Sequence, residues 1–387
     1  MSQKILATAC HPGAANAIAP VLRKIQQDPK LPEITVVAHN SPAKIIFAKA
    51  GIVYKELADY GLSDVSLSAM KQLLQKVEPD LVLTGTSSQA ESQKEVIEQT
   101  LTLAAKELRI QSLAVLDFWG NYTERFSDIF SSERFQYLPD KIAVMDVLAI
   151  REMVEQGFPR NKLVITGNPY FDNHLEKARS ASSHQEADIR RKLDLGSGVI
   201  TLYAGNAFRE SEQNLPFWDM DIIRLICLEL LGLLPTQQKE VARVIVTLHP
   251  RMPKQEKKEI RGFLQGCPEM VLAEEINTIE LIPFCSTVFM TGSTVGLEAI
   301  YMNRPSLSLQ PGFSAEQDKF ILTRKKLIPV GYTKLGCRSL IKRALTSESF
   351  RRRTLTCTLK NPDFPKTDYM AGQRVLDLVL SMLEASQ

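Results

Sequence analysis

The sequence predicts an α/β protein made of two Rossmann-like, doubly wound parallel-sheet domains facing a cleft. Three observations carry that prediction. Short apolar runs alternate with helical patterns along both halves of the chain. The runs are continuously apolar, which is how strands buried on both faces read. A polar, Ser-rich segment at 174–197 breaks the rhythm near the middle, dividing the 387 residues into two pieces of ordinary domain size.

The first series opens with ILATAC (5–10) as a strand, then a Gly-containing turn and a helix near 15–27. ITVVAH (34–39) is short and β-branched, and AKIIFAKAG (43–51) reads as a helix ending at its glycine. DLVLTG (80–85) is a buried strand, followed by the amphipathic helix ESQKEVIEQTLTLAAKEL (91–108). SLAVLDF (112–118) and KIAVMD (141–146) are strands. VLAIREMVEQG (147–157) is a helix stopped by Gly157, and KLVITG (162–167) closes the series. The polar segment 174–197 reads as a linker with some helix.

The second series starts at VITLYAG (199–205). A helix lies near 220–233, a strand at VARVIVTLHP (241–250) and a helix at 254–266. STVFMTG (286–292) is a strand, VGLEAIYM a helix and SLSLQ (306–310) a strand, and 368–385 forms a strong amphipathic helix.

Composition narrows the class. The chain is 44% hydrophobic and 24% charged, as a globular protein is. Its 47 basic and 44 acidic residues leave +3, too even for nucleic acid or membrane binding by bulk charge. The runs RKK (324–326) and RRR (351–353) read as solvated faces. Six cysteines form no C-x-x-C pair and no zinc spacing, so no metal is expected. The first ten residues read as a strand and not a signal peptide. No apolar run reaches the roughly 18 residues of a membrane span. The expectation is a reduced, cytoplasmic protein, with peripheral membrane contact left open.

In open parallel sheets ligands sit beyond the carboxyl ends of the strands, so informative residues should follow each strand. After the first strand stand His11, Gly13 and Asn16, in a turn that needs a glycine or that admits a ligand. After DLVLT, Thr86 and Ser87 fit substrate contact or an ordinary helix cap. After SLAVL, the loop DFWGNYTERF gathers Asp117, Trp119, Asn121, Glu124 and Arg125. Its carboxylates can take protons and its aromatics can wall an acceptor. A loop packed for stability has less need of Asp117. After KLVIT, Gly167-Asn168-Pro169 marks a defined turn, a hinge or a ligand contact.

The second half continues the series. Gly205, Asn206 and Arg209 follow VITLYA, and Arg209 offers planar donors to a phosphate unless it is a surface arginine. His249 and Arg251 follow VIVTL, and a histidine at a buried strand end suits phosphate binding or proton transfer. Gly292, Ser293 and Thr294 follow STVFM and lead into a helix, whose first-turn amides suit a diphosphate. Glu298 is not three residues after either hydroxyl, so the simplest capping box fails. Its carboxylate matches two adjacent ribose hydroxyls.

These residues resemble the two-domain GT-B superfamily. That group includes nucleotide-sugar glycosyltransferases, hydrolysing UDP-N-acetylglucosamine 2-epimerases and CDP-glycerol glycerophosphotransferases. STVFMTGSTVGLEAIYMNRPSLSL is similar to the superfamily's donor-binding segment, and TLHPR to its strand-end His motif. The resemblance implies a diphosphate at Gly292, Ser293 and Thr294, ribose at Glu298 and phosphates near His249. It also implies an acceptor-side domain at 1–173, the linker at 174–197, a nucleotide donor domain at 198–367, and a final helix at 368–387 packing back on the first domain. The epimerases usually carry an Asp in the loop after the third main strand, where this chain has TGTSSQ.

The leading expectation is a transferase moving a glycosyl or glycerophosphate-like group from a nucleotide diphosphate donor, UDP first. Asp117 is the expected general base and Glu124 the second choice, with His249 and Arg209 at the phosphates. No cofactor or metal is required. The enzyme alternative is a nucleotide-sugar 2-epimerase or hydrolase. The alternative of another class is a GT-B-like protein that binds a ligand without turnover. The sugar, acceptor and oligomeric state are not written in the sequence.

Overall fold

Strand β1, Lys4–Thr8, shows why the apolar runs are continuous. Ile5 and Ala7 join one buried cluster and Leu6 joins another, so both faces of the strand are covered. The computed structural model describes residues 3–89, 96–206, 216–233, 242–318, 320–365 and 367–385. Arg209 lies outside the described residues. The chain divides into two units, Met1–Asp172 with Thr367–Gln387, and Asn173–Lys366.

In the first unit, β1 is joined by β2 (Glu33–Val37), β3 (Leu81–Thr84), β4 (Gln111–Val115), β5 (Lys141–Val144) and β6 (Leu163–Ile165). All pair in parallel, in the order β2-β1-β3-β4-β5-β6. Helices α1 (Pro12–Gln27) and α2 (Ser41–Lys49) cover one face. Helices α3 (Leu67–Val77) and α4 (Ile97–Leu108) cover the other. The chain runs from β1 to β2 on one side, then returns to lay β3 on the opposite side of β1. The connections after β1 and β3 therefore leave toward opposite faces, which opens a crevice at their carboxyl ends. Two short helices follow later strands, α5 (Tyr122–Phe126) and α6 (Val147–Glu155).

The second unit begins with α7 (His174–Ser180) and α8 (Ser183–Lys192). The predicted linker 174–197 is thus largely helical and falls within this unit. Ile189 and Leu193 pack against its core, though a Ser-rich, charged composition masks that sparse apolar spacing. Its sheet holds β7 (Ile200–Ala204), β8 (Arg243–Thr247), β9 (Met270–Leu272), β10 (Thr287–Met290), β11 (Ser306–Leu309) and β12 (Val330–Gly331). The order is β12-β11-β10-β7-β8-β9, all parallel, so the switch point lies between β7 and β10. Helices α9 (Asp219–Leu233), α10 (Lys254–Leu264), α11 (Thr278–Leu281), α12 (Val295–Tyr301), α13 (Ile321–Arg324), α14 (Lys334–Thr346) and α15 (Glu348–Lys360) complete it.

The last helix, α16 (Ala371–Glu384), belongs to the first unit. Val375, Leu376, Val379, Met382 and Leu383 enter the same cluster as Ile5 and Ile18 of β1 and α1. Asp172 receives its N-terminus, accepting from the amides of Ala371 at 3.1 Å and Gly372 at 2.7 Å. A carboxylate there satisfies two donors that the helix cannot pair internally.

Candidate functional site

The switch point of the first unit lies between the loops after β1 and β3. Both loops are built from small residues because they touch. A Cβ on Gly85 would stand 2.6 Å from Ala14 Cβ and 3.0 Å from its backbone, so only glycine fits there. A Cβ on Gly13 would stand 2.0 Å from Asp117 Oδ2, so the β1 loop leaves room for a carboxylate and not for a side chain. The His11 amide donates to Ser87 Oγ at 3.0 Å, tying the two loops together. His11, Gly13, Thr86, Ser87, Asp117 and Arg125, each expected from its place after a strand, meet here.

Asp117 is half-buried and strongly held. Arg125 Nη1 donates to its Oδ1 at 2.5 Å, and the two side chains are 14% and 11% exposed. Thr86 Oγ1 reaches the same oxygen at 3.2 Å. Arg125 also donates to the Thr86 carbonyl at 2.6 Å and to the Gly120 carbonyl at 3.3 Å. The Asn168 amide group donates to the Asp117 carbonyl at 2.9 Å, so the predicted Gly-Asn-Pro turn braces this loop. The guanidinium holds this carboxylate at the strand end, where its Oδ2 faces the glycine of the β1 loop.

Glu98, in the first turn of α4, is the residue that strand-end reasoning misses. Its side chain is buried, and Oε1 accepts from the Cys10 amide at 2.7 Å and from Ser87 Oγ at 2.6 Å. Among the described residues its Oε2 has no hydrogen-bond partner. Burial pushes the carboxyl up to about 7, against the pull of the Ser87 and Cys10 hydrogen bonds, and the Asp117 charge adds to the rise. Two carboxyls with opposite environments therefore share one switch point.

Four other residues expected after strands of the first unit have settings of their own. Trp119 corrects the expected aromatic wall: it is 2% exposed, and its indole N–H donates to Asp146 Oδ2 at 3.0 Å. Asp146 is also the N-cap of α6, accepting from the Ala149 amide, so the tryptophan is spent on anchoring that helix. Asn121 is exposed in the left-handed region at φ 51°, a conformation asparagine tolerates, and starts α5. Glu124 is exposed on α5, and Asn16 is half-buried one turn into α1.

In the second unit, Gly205 and Asn206 follow β7, while Gly292, Ser293 and Thr294 follow β10, flanking its switch point. A Cβ on Gly205 would stand 2.8 Å from the Thr247 carbonyl, so the turn requires glycine. Asp219, buried at the start of α9, holds this turn. Its Oδ1 accepts from the Asn206 amide at 2.8 Å and from the Tyr203 hydroxyl at 2.7 Å. Burial raises the Asp219 carboxyl to about 6, the Tyr203 and Asn206 hydrogen bonds opposing the shift. Among the described residues Asn206 Nδ2, itself buried, has no hydrogen-bond acceptor.

The floor beneath the β10 loop is polar. Ser308 Oγ donates to the Thr291 carbonyl, and Gln310 Nε2 donates to Ser308 Oγ and to Asp318 Oδ2, each at 2.9 Å. Gly292 is exposed, Ser293 and Thr294 are half-buried, and Ser293 Oγ accepts from the Val295 amide at 3.3 Å. Gly296 has a packing reason: a Cβ there would meet Met290 Cε at 2.7 Å and Ser306 Oγ at 2.8 Å. Glu298 is 6% exposed on α12. His249 is half-buried, and its Nδ1 accepts from the Arg251 amide at 3.1 Å, leaving Nε2 to carry the proton when the ring is neutral. Arg251 itself is exposed.

Among the described residues no cluster of three His, Cys, Asp or Glu is placed to hold a metal ion, and no helix is long and apolar enough to cross a membrane.

No family model and no curated protein matches this sequence. Solved structures match its whole length. The Staphylococcus aureus MnaA–UDP co-structure has a TM-score of 0.70 at 15% identity, over 99% of this chain and 97% of that one. The UDP-GlcNAc 2-epimerase of Neisseria meningitidis, bound to UDP-GlcNAc, has a TM-score of 0.68 at 14% identity, over 98% of this chain and 100% of that one. A glycosyltransferase of Rickettsia africae has a TM-score of 0.58 at 12% identity, over 100% of this chain and 98% of that one. At these identities the likeness is one of fold. The two parallel sheets, each with its own switch point, are the two Rossmann-like units of the GT-B type.

Proposed function

We propose that this protein acts on a nucleoside-diphosphate-linked sugar, UDP first among the bases, by proton chemistry of the 2-epimerase or hydrolase type. The observation that carries the reading is the pair of carboxyls at the first unit's switch point. Asp117 is ion-paired with Arg125, and Glu98 is driven toward its neutral form by burial. An ion-paired carboxylate at a strand end, next to a carboxyl that burial favours as neutral, gives the site one candidate proton acceptor with a neighbour that sets its charge balance. The neighbours described as UDP-GlcNAc 2-epimerases support the same reading.

The nucleotide is assigned to the second unit, with diphosphate at Gly292, Ser293 and Thr294, ribose at Glu298, and His249 and Asn206 toward the phosphates. The sugar nucleotide is substrate, and the reading needs no further cofactor. Group transfer to an acceptor is the second reading. It is favoured by Thr86 and Ser87, hydroxyls that stand where the resembling epimerases usually carry an Asp, and by the glycosyltransferase among the structural neighbours.

Incubation with UDP-, GDP- and CDP-linked sugars in deuterated water separates the readings. Deuterium at C2 of the sugar is the expected result. Acceptor-dependent UDP release without exchange would favour transfer. Binding without turnover would leave a non-catalytic ligand-binding protein. Glu298→Ala should weaken UDP binding roughly 10- to 100-fold, the loss of hydrogen bonds to a charged group at about 1.5–3 kcal/mol. Unchanged UDP affinity in that variant would remove the nucleotide assignment.

A further inference from the structure

We infer that Glu98 is a positioning residue that sets the charge of the first unit's site, carrying one proton in the active form so that it adds no second negative charge beside the Asp117–Arg125 ion pair. The inference rests on the reading of this switch point as the acid–base side of the site.

The geometry supports a proton on Oε2. Oε1 is fully engaged, accepting from a backbone amide and a hydroxyl that both come from the site's own loops. Oε2 is buried and has no partner among the described residues. A buried polar atom without a partner costs about 1–3 kcal/mol, and more if it is charged. A cavity of about 10 Å³, lined by Glu98, Thr86, Ser87, Gln99, Arg125 and Tyr137 among others, opens beside this network. That is the lower limit for one water, roughly 10–15 Å³, and its lining is polar enough to hold one. A protonated Oε2 can donate to such a water, whereas an ionised one would bury a second negative charge near Asp117.

Among the described residues, titratable and charged groups stand around Glu98 on the loops after β1 and β4, on α5 and before β5. They are Cys10 and His11 after β1, Asp117 after β4, Arg125 on α5 and Tyr137 in the loop before β5. Arg125 is committed to Asp117 and to the Thr86 and Gly120 carbonyls, so among the described residues Glu98 has no cation of its own. The carboxyl sits on a buried helix turn, while the groups it organises, Ser87 and the Cys10–His11 backbone, form the crevice. Glu98 therefore acts through them and through the charge balance.

Glu98→Gln keeps the shape and the two accepting contacts but cannot ionise. Two measurements test the inference. The first needs no turnover. With ¹³C-labelled glutamate carboxyls, one resonance should titrate with a midpoint near 7. It should disappear in Glu98→Gln. Should that variant fail to fold, Ser87→Ala should move the midpoint upward, because the hydroxyl favours the ionised form. A wild-type spectrum with every glutamate titrating near the ordinary range, about 4.3, would overturn the inference.

The second is the pH profile of kcat/KM on a UDP-linked sugar. The wild type should fall about tenfold per pH unit on the limb above the Glu98 midpoint, and Glu98→Gln should lack that limb. A retained limb in Glu98→Gln would overturn the inference even if the resonance titrates as expected. Absence of turnover on any nucleotide sugar would instead sink the proposed function, and the carboxyl titration would still decide whether Glu98 holds the proton.

Discussion

Replacing Asp117 by Asn tests whether the Asp117–Arg125 pair is a structural clamp as well as a reacting group. The substitution keeps the size of the side chain and removes its charge. Arg125 is left 11% exposed with no counter-charge among the described residues, though it retains the Thr86 and Gly120 carbonyls. Removing one member of a buried pair costs about 3–5 kcal/mol, and the residual solvent contact and carbonyl bonds here place the cost near the lower end, about 3 kcal/mol. For a cooperative unit of about 190 residues, 1 kcal/mol moves Tm by about 2–4 °C, so the expected drop is roughly 6–12 °C. The assay is thermal and urea unfolding of Asp117→Asn, Arg125→Met and the double variant. The double variant should recover part of the loss, because no lone charge remains. A loss below about 0.5 kcal/mol, or strict additivity of the two changes, would refute the argument that the pair is buried and coupled. Turnover of Asp117→Asn should fall further than its folded fraction, which separates the chemical role from the structural one.

The other predictions follow from single contacts. Gly13→Ala drives a methyl to 2.0 Å from Asp117 Oδ2, and Gly85→Ala drives one into the Ala14 backbone. Each should cost about 1–3 kcal/mol by denaturant titration, with Gly13→Ala also displacing Asp117 and lowering turnover. Asp219→Ala strips the Tyr203 hydroxyl and the Asn206 amide of their acceptor, and should cost about 1–3 kcal/mol in unfolding and weaken UDP binding through the loosened Gly205–Asn206 turn. Glu98 titrates near 7 and Asp219 near 6 in the folded chain, both above the unfolded carboxyl range. The folded state therefore binds more protons between roughly pH 4 and 7, and stability should fall as pH rises through that window, by a few kcal/mol at most for Glu98. Urea midpoints for the wild type and Glu98→Gln across that window check it, and the variant should have the shallower slope. Truncation before Ala371 uncovers the cluster around Ile5 and Ile18, so the first unit should lose cooperative unfolding while the second retains it.

Much of the architecture was legible because it depends on local pattern. Continuous apolar runs such as LVLT and ITLYA declare strands buried on both faces, and their parallel pairing follows from the helices between them. The positions of residues after strands were legible for the same reason: strand ends are visible in a sequence, and His11, Thr86, Asp117, Asn206 and Gly292 all lie at one. The glycines at 13, 85 and 205 were visible as small residues, but their reason was not. Each makes room for a neighbour distant in sequence, Asp117, Ala14 or Thr247.

Tertiary structure alone decided the carboxyl partnership. Glu98 looks like one more acidic residue in an amphipathic helix. It reaches the Cys10 amide across 88 residues only because β3 lies beside β1, which sets the loops after the two strands side by side. Asp219 and the Asn206 turn are joined in the same way by α9 packing behind β7. Trp119 moved in the other direction: the sequence places it in a polar loop, and packing buries it against the start of α6. Periodicity records which face of an element is buried. It does not record which buried polar group meets which backbone amide, because that depends on strand order and on helix placement within a fraction of an ångström.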